Sequence, residues 1–410
     1  MYLRSLRAWC SFYFSDIKQA NYLFSGAQSH RVDFNGKEYN RYFDPIMDYL
    51  ETKRQKVVMV EQNVILNGRH YYKARRVLDI RRLFPLTRIL IKLFRPVPDV
   101  SQQTEVMQCL QAIAHRIPEA NVFKLEKRLE NQLLAIRAWV LIFDRIFARV
   151  QPRYVFGLCY YSSMMYGMNV SAHKKKIASV DMQHGTQGAL HVAYNSFTKV
   201  PENGYEVLPQ FFWCWDTHST RQIHSWISLQ RYHQVITGGN PWLSLWRRDM
   251  GKGRRSILYT MQPIDPVLPD LILSAIKNTH QEFNWCLRMH PRQRADAAKI
   301  RHLLADAELA DFATLTDAHG IPLPTAINES SVHVSRFSGA IIESVLLGVP
   351  SVTIDEIGVQ AFANEIASGQ VHAYLGGNVD EFVELLRELT QRHLQPALIP
   401  FERVMDNNFD

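Results

Sequence analysis

The chain predicts an α/β protein of two doubly wound parallel sheets facing a central cleft. Three observations carry that expectation. From residue 151 onward, short apolar runs alternate with amphipathic helical stretches. A polar, glycine-containing stretch, Arg247 to Arg255, interrupts the alternation once. The 410 residues, 47% of them hydrophobic, exceed what a single domain of roughly 150 residues would use. The expected division is 1–246, an acceptor-side domain with a basic helical region, then a linker at 247–255, then a nucleotide-side domain at 256–410.

The elements follow in order. Leu125, Leu129, Leu133, Ile136, Val140, Phe143 and Phe147 recur at steps of three and four, which predicts a helix from Lys124 to Val150. Gln151-Pro152 ends it. Tyr154 to Leu158 reads as a buried strand, Ser162 to Lys175 as a helix and Lys176 to Val180 as a second strand, a βαβ unit and hence a parallel sheet. Phe211 to Trp215 is a strand, Ser219 to Arg231 a helix and Gln234 to Thr237 a strand closed by Gly238-Gly239-Asn240-Pro241. Beyond the linker come strand Ser256–Met261, helix Leu268–Lys277, strand Phe283–Met289, helix Asp296–Ala305 and strand Phe312–Leu315. A short strand at Val332–Val334, helix Ser338–Leu347, strand Ser351–Ile354 and a last helix at Val379–His393 complete the series.

Composition excludes disordered and collagen-like classes. Five scattered cysteines without a CxxC pair point to a reduced, cytoplasmic chain rather than a disulfide framework or a zinc module. Residues 1–14 lack a signal-peptide pattern, and no apolar run approaches the roughly 20 residues of a membrane span.

Charge is unevenly placed. Lys53 to Arg95 holds twelve Lys/Arg against Glu61 and Asp79, a balance of +10 in a chain of +8, so the remainder is −2. Within it, Val77 to Arg95 mixes large apolar and basic residues. Such a segment can lie on an anionic membrane surface, which would make the protein peripheral on the inner face of the cytoplasmic membrane. It can equally be a basic-rimmed helix packed on its own domain, since Lys and Arg stems cover apolar surface. No zinc finger, RNA-recognition signature or helix-turn-helix supports a nucleic-acid groove.

Parallel sheets bind ligands beyond the carboxyl ends of their strands, so the residues after each strand are the candidates. Asp181-Met182-Gln183-His184-Gly185-Thr186-Gln187-Gly188 packs a carboxylate, an imidazole and two glycines into one turn; Asp181 or His184 offers a base or nucleophile there. Gln183 and Gly185 join the acceptor side, with Glu61 as the other available carboxylate. In the second half, Thr260 and Gln262 follow one strand, His290-Pro291 follows another with Arg288 beside it, and Ser335, Ser338 and Gly339 open a helix carrying Glu343. Hydroxyls and free N–H groups at a helix start, with a glycine permitting close approach, suit a phosphate. A capping role for Ser338 and a structural hydrogen bond for His290 are the plain alternatives. GxGxxG, Walker, GxSxG and HExxH patterns are all missing, and no metal-ligand cluster is evident.

At these residues the sequence resembles the bacterial GT-B glycosyltransferases of capsule and lipopolysaccharide assembly, especially the Kdo-transferase and sialyltransferase-like branch. The resemblance runs from Gln151 to Gln370. It passes through Pro152 to Ser162, Asp181 to Gly185, Gly238 to Pro241, His290-Pro291 and Ser338 to Pro350. It implies two Rossmann-like domains and a nucleotide-sugar donor as co-substrate, CMP-sugar favoured, with no further cofactor. It also implies a glycan or glycolipid acceptor, nucleotide binding by His290, Ser335, Ser338 and Glu343, and a catalytic carboxylate at Asp181. A non-catalytic nucleotide-binding protein of a polysaccharide assembly is the alternative. Phe337-Ser338 stands where the family often has adjacent serines, and the first 150 residues match no part of that pattern.

Overall fold

The computed structural model describes all residues except 15–16, 63–70, 74–76, 95–98, 118, 120, 189, 196, 198, 247–254, 318–319, 393 and 410. The expected linker therefore lies, apart from Arg255, outside the described residues. The strands are β1 (Tyr22–Ala27), a hairpin of β2 (Arg31–Phe34) and β3 (Lys37–Asn40), then β4 (Val57–Gln62) and β5 (Val77–Asp79). They continue with β6 (Tyr154–Leu158), β7 (Ala178–Met182), β8 (Phe211–Cys214) and β9 (Gln234–Thr237). The second half contributes β10 (Ser256–Thr260), β11 (Asn284–Arg288), β12 (Ala313–Thr316), β13 (Val332–Ser335), β14 (Ser351–Thr353) and β15 (Val371–Ala373).

Two fully parallel sheets result. Their orders are β5-β4-β1-β6-β7-β8-β9 and β12-β11-β10-β13-β14-β15. Counted within its own sheet, the first runs 3-2-1-4-5-6-7 and the second 3-2-1-4-5-6, the doubly wound order that reverses beside the first strand. The reversal points are β1/β6 and β10/β13, and each opens a crevice at the carboxyl ends of its strands.

The α/β expectation with two parallel sheets holds, and the strands of residues 154–237 and 256–354 fall within a few residues of their expected places. The first half of the sheet does not come from the alternation after residue 151. It comes from β1 and β4, whose apolar runs YLFSGA and VVMVEQ are only six residues long, and from the three-residue β5. The hairpin is inserted directly after β1 and is fastened by a buried ion pair. Arg31 Nε lies 3.0 Å from both oxygens of Glu61 on β4, and Arg31 Nη1 donates to Glu38 O at 2.6 Å. Removing one partner of such a pair is costly, because the other charge stays buried.

One apolar cluster spans both halves. It joins Phe24, Phe43, Phe156, Val180 and Trp213 of the first to Ile341, Val345, Leu347 and Phe362 of the second. The chain end closes it. After the second sheet, the helix Phe401–Asn408 lies against the helix Asp44–Thr52, and Phe409 is fully buried among Tyr154, Phe156, Phe211 and Trp213. Tyr22 Oη donates to Phe409 O at 2.5 Å. On its way this segment passes the turn after β9, where Gly239 has φ +75° and a Cβ would stand 2.6 Å from Ile399 O. The Gly238-Gly239-Asn240-Pro241 motif is thereby explained by packing: Trp213 Nε1 donates to Gly239 O at 2.8 Å, and Asn240 Oδ1 accepts from Trp242 N at 3.1 Å.

Burial of Phe409 by four aromatic side chains predicts that Phe409→Ala destabilises the protein by about 3–5 kcal/mol, the usual cost of a large aromatic cavity. Chemical denaturation followed by tryptophan fluorescence measures it; a change under 1 kcal/mol would show that the C-terminal segment does not hold the first sheet.

Candidate functional site

The carboxyl ends of the two sheets meet at one cavity of about 260 Å³. Arg41, His184, Gly185 and Thr186 line it from the first sheet's side, and Thr260, Arg288, His290, Pro291, Ser338, Gly339 and Glu343 from the second. The halves touch here: a Cβ on Gly339 would stand 3.7 Å from Gly185 Cα and Thr186 N. Residues as far apart in sequence as Gly185 and Gly339 therefore share one wall.

Glu343 is the electrostatic centre. It is 7% exposed, and its Oε2 is buried without a hydrogen-bond partner. Burial pushes its carboxyl above the usual range, while Arg41 and Arg288 pull it back towards ionisation. A buried carboxyl beside two cations, with one oxygen unsatisfied, offers that oxygen to a hydroxyl or N–H donor.

His290 has a defined tautomer. Its Nδ1 accepts from Arg292 N at 3.1 Å, and Gln293 Oε1 accepts from His290 N at 2.9 Å, a reciprocal cap on the turn Pro291–Asp296. Burial and then Arg292 lower its pKa, so the ring is neutral at pH 7 and carries its hydrogen on Nε2. The helix Ala340–Leu346 takes Gly339, not Ser338, as its cap residue; Ser338 Oγ accepts from Ala340 N at 3.3 Å in the turn just before it. Its hydroxyl hydrogen remains a donor on the cavity wall.

His184 sits on the turn after β7. Its Nε2 lies 3.4 Å from both Cys159 Sγ and Tyr161 Oη, and its Nδ1 is buried without a hydrogen-bond partner. Burial, then His191 and Arg41, push its pKa down to about 4. It is neutral at physiological pH. Tyr42 Oη donates to His184 O at 3.1 Å, and the Arg41 guanidinium donates to Tyr42 Oη at 2.7 Å while covering its ring. Cys159, directly after β6 at the reversal point, has φ +57°, a left-handed conformation that non-glycine residues seldom adopt outside constrained sites.

Five expected site residues do not reach the cavity. Asp181 belongs to β7 itself, one residue further along than the expected strand end, and is 2% exposed. Tyr160 N donates to its Oδ1 at 3.0 Å and Tyr194 Oη to its Oδ2 at 2.6 Å. The expectation of a carboxylate presented to the cleft is corrected: a residue inside a parallel strand faces a packed layer. Gln183 is fully buried; its Nε2 donates to Gly185 O and Ser219 Oγ, and its Oε1 accepts from Trp215 N at 2.6 Å, so it shapes the His184 turn from beneath. Ser335 Oγ donates to Thr260 O at 2.9 Å, tying β13 to β10 across the reversal point instead of facing a phosphate. Gln262 Oε1 accepts from Phe337 N at 3.0 Å and braces the same crevice. Glu61 is committed to Arg31. Thr260 lines the cavity with its hydroxyl 2.8 Å from His333 Nε2.

Sequence reasoning missed Arg41 and Tyr42. They follow the β2–β3 hairpin, and only the insertion of that hairpin after β1 carries them to the cleft. Neither spacing nor motif marks them.

No protein-family model matches the sequence, and no curated protein matches it. Solved structures do. The chain is similar to the UDP-GlcNAc 2-epimerase from Methanocaldococcus jannaschii, with TM-score 0.54 and 11% identity over 95% of this chain and 99% of that one. A co-structure of S. aureus MnaA with UDP gives TM-score 0.53 and 11% identity over 95% of each chain. The UDP-GlcNAc 2-epimerase from Neisseria meningitidis bound to UDP-GlcNAc gives 0.52 and 11%, over 95% and 99%. These likenesses bear on the fold, which is a GT-B-like pair of parallel sheets.

The buried Asp181 has a pH signature. Burial raises its pKa from 3.8 to about 7, against the two hydrogen bonds it accepts. A group that holds its proton more tightly when folded stabilises the native state below the unfolded pKa, and that contribution is lost as pH rises from about 4 through 7. Asp181→Asn removes the ionisation with little change of shape. The difference in thermal midpoint between variant and parent is therefore expected to shift in favour of the variant across that window, read by circular dichroism at fixed ionic strength. A difference independent of pH would contradict the raised pKa.

Proposed function

We propose that the chain is a nucleotide-sugar enzyme whose site is the cleft between the two sheets, and that it transfers the sugar to a glycan or glycolipid acceptor. The observation that carries the reading is Glu343, a buried carboxylate with one unsatisfied oxygen, set between two guanidinium groups. A nucleotide diphosphate matches both features. Its ribose hydroxyls donate to a carboxylate, and its phosphates accept from Arg41, Arg288, His290 Nε2 and the Ser338 hydroxyl. A cavity of about 260 Å³ is below the volume of most small-molecule sites, so a whole nucleotide sugar requires the cleft to open and close.

Breaking the bond between sugar and phosphate develops positive charge at the sugar carbon and negative charge on the leaving phosphate. The second half supplies the phosphate donors. The first supplies the neutral His184 as a base; a bound diphosphate nearby raises its pKa towards the working range. In this reading Asp181 is a positioning residue. Through Tyr160 and Tyr194 it holds the aromatic floor on which His184 and His191 rest.

For the donor base, UDP replaces CMP as the favoured nucleotide, supported by the UDP and UDP-GlcNAc named for two structural neighbours. Those neighbours also support a second reading, epimerisation at C2 of UDP-GlcNAc without any acceptor. Isothermal calorimetry with UDP, CMP, GDP, dTDP and CDP identifies the nucleotide. Chromatography of UDP-GlcNAc after incubation then separates the readings: UDP-ManNAc appearing without acceptor indicates epimerisation, whereas release of UDP only with acceptor indicates transfer. Binding without either product indicates a non-catalytic nucleotide-binding protein.

Glu343→Gln, His290→Ala and Ser338→Ala are each expected to weaken nucleotide binding by about 1–3 kcal/mol, the range for hydrogen bonds to charged groups, with the fold retained by circular dichroism. Unchanged affinity in all three folded variants would remove the cleft from nucleotide binding.

A further inference from the structure

The N-terminal helical layer carries a surface that the cleft does not explain. In the helix Tyr2–Phe14, Ser5 and Phe12 are buried and Trp9 is half-buried. Trp9 Nε1 donates to Leu83 O and Thr87 Oγ1, both at 3.1 Å, and Leu86 N donates to Ser5 Oγ at 3.1 Å. These bonds fix the helix to the helix Phe84–Phe94, which turns Phe84, Thr87 and Ile91 inward on the helix Val122–Val150.

Each of the two helices has a second apolar stripe beside its buried one. On the first, Tyr2, Leu6 and Tyr13 recur at helical spacing, with Leu3 64% exposed and Phe14 90% exposed alongside. On the second, Leu90, Leu93 and Phe94 do the same, the last two 67% and 76% exposed. Scattered exposed leucines need no explanation, but two joined stripes with large aromatic residues mark an interaction surface. Between the two helices and Val122–Val150 runs a groove of about 1040 Å³, lined by Met1, Tyr2, Pro85 and Ile89 on one side and by Asp99 and Glu130 on another. Glu130 is paired with Lys127 at 2.9 Å.

Charge selects the occupant. The two helices contain Arg4, Arg7, Arg88 and Lys92 and no acidic residue, and Arg81 and Arg82 stand exposed at their junction. A second copy docked about a two-fold axis would set this basic surface against itself. The helices have 13 and 11 residues, and no helix among the described residues is long and apolar enough to cross a membrane, so they can lie in an interface without spanning it. Tyr2 and Tyr13, both exposed, have the amphipathic rings that favour the headgroup level.

We propose that this surface, built by Tyr2–Phe14 and Phe84–Phe94 together, docks the protein on a bilayer containing anionic lipid. The basic stretch 53–95 expected from sequence is only partly involved. Lys53 pairs with Asp406, and Lys73 with Asp48 and Glu51, on the side where the chain end packs. The N-terminal helix supplies the other half. The inference is independent of the nucleotide reading.

The test is co-sedimentation of the full chain with phosphatidylcholine vesicles made with and without phosphatidylglycerol. Binding is expected only with phosphatidylglycerol, and it is expected to fall as salt is raised until the Debye length drops to roughly 3–4 Å. Leu93→Glu/Phe94→Glu and, separately, Arg7→Gln/Lys92→Gln are each expected to cut partitioning at least about tenfold, with circular dichroism and nucleotide affinity unchanged. All four side chains are exposed, so the pairs test the surface without touching the core. Absence of binding by the parent, equal binding to neutral vesicles, or full binding by both folded variants would overturn the proposal. So would self-association in sedimentation velocity that the Leu93→Glu/Phe94→Glu pair abolishes while vesicles bind nothing.

Discussion

Parallel strand pairing is the constraint on which the rest of this molecule depends. It sends every crossover over a face of the sheet, demands that both faces be covered, and leaves each sheet's carboxyl ends at one edge. Because the order reverses beside β1 and beside β10, each sheet has one place where neighbouring loops part and leave a crevice. The 183–188 turn and the 335–340 segment occupy those edges, and the close approach of Gly339 to Gly185 makes two crevices into one cleft. The apolar cluster running from Phe24 to Phe362, stapled by Phe409, keeps the edges opposed.

Buried charge follows the same geometry. Arg31 and Glu61 neutralise one another within the first domain and fasten the hairpin that carries Arg41 to the cleft. Glu343 is different: its counter-charges come from both halves, Arg41 from one and Arg288 from the other, and one of its oxygens remains unsatisfied. Such a site gains most when a ligand supplies the missing donors, which is why the electrostatics of the cleft and the proposed use of a nucleotide sugar are one argument. Asp181 is the contrasting case. Hydrogen-bonded by Tyr160 and Tyr194 but without a cation, it is held by burial near neutrality and serves the floor of the cleft instead of its chemistry.

Much of the second domain was legible because its strands and helices alternate cleanly and each strand end carries a polar signature. Thr260, Arg288, His290, Ser338, Gly339 and Glu343 are found together on the cavity wall as their positions after strands required. Ser335, Gln262 and Gln183 also sit at strand ends, yet they spend their hydrogen bonds on neighbouring loops. Spacing places a residue near an edge but does not say which way its side chain faces. The end of β7 lies two residues beyond the expected Val180, at Met182, which puts Asp181 inside the strand and against a packed layer instead of on the loop after it.

By itself, then, the sequence determined the α/β class, the two parallel series and the edge at which polar residues gather, because hydrophobic periodicity and turn chemistry are local. Tertiary structure alone decided the rest. It inserted the hairpin that delivers Arg41 and Tyr42, returned Phe409 to the first sheet, joined the Tyr2–Phe14 helix to Phe84–Phe94, and set Glu343 between cations from opposite domains. Each of these pairs residues far apart along the chain. No local pattern encodes such pairings; they arise only when the whole chain buries its apolar surface and matches its remaining charges.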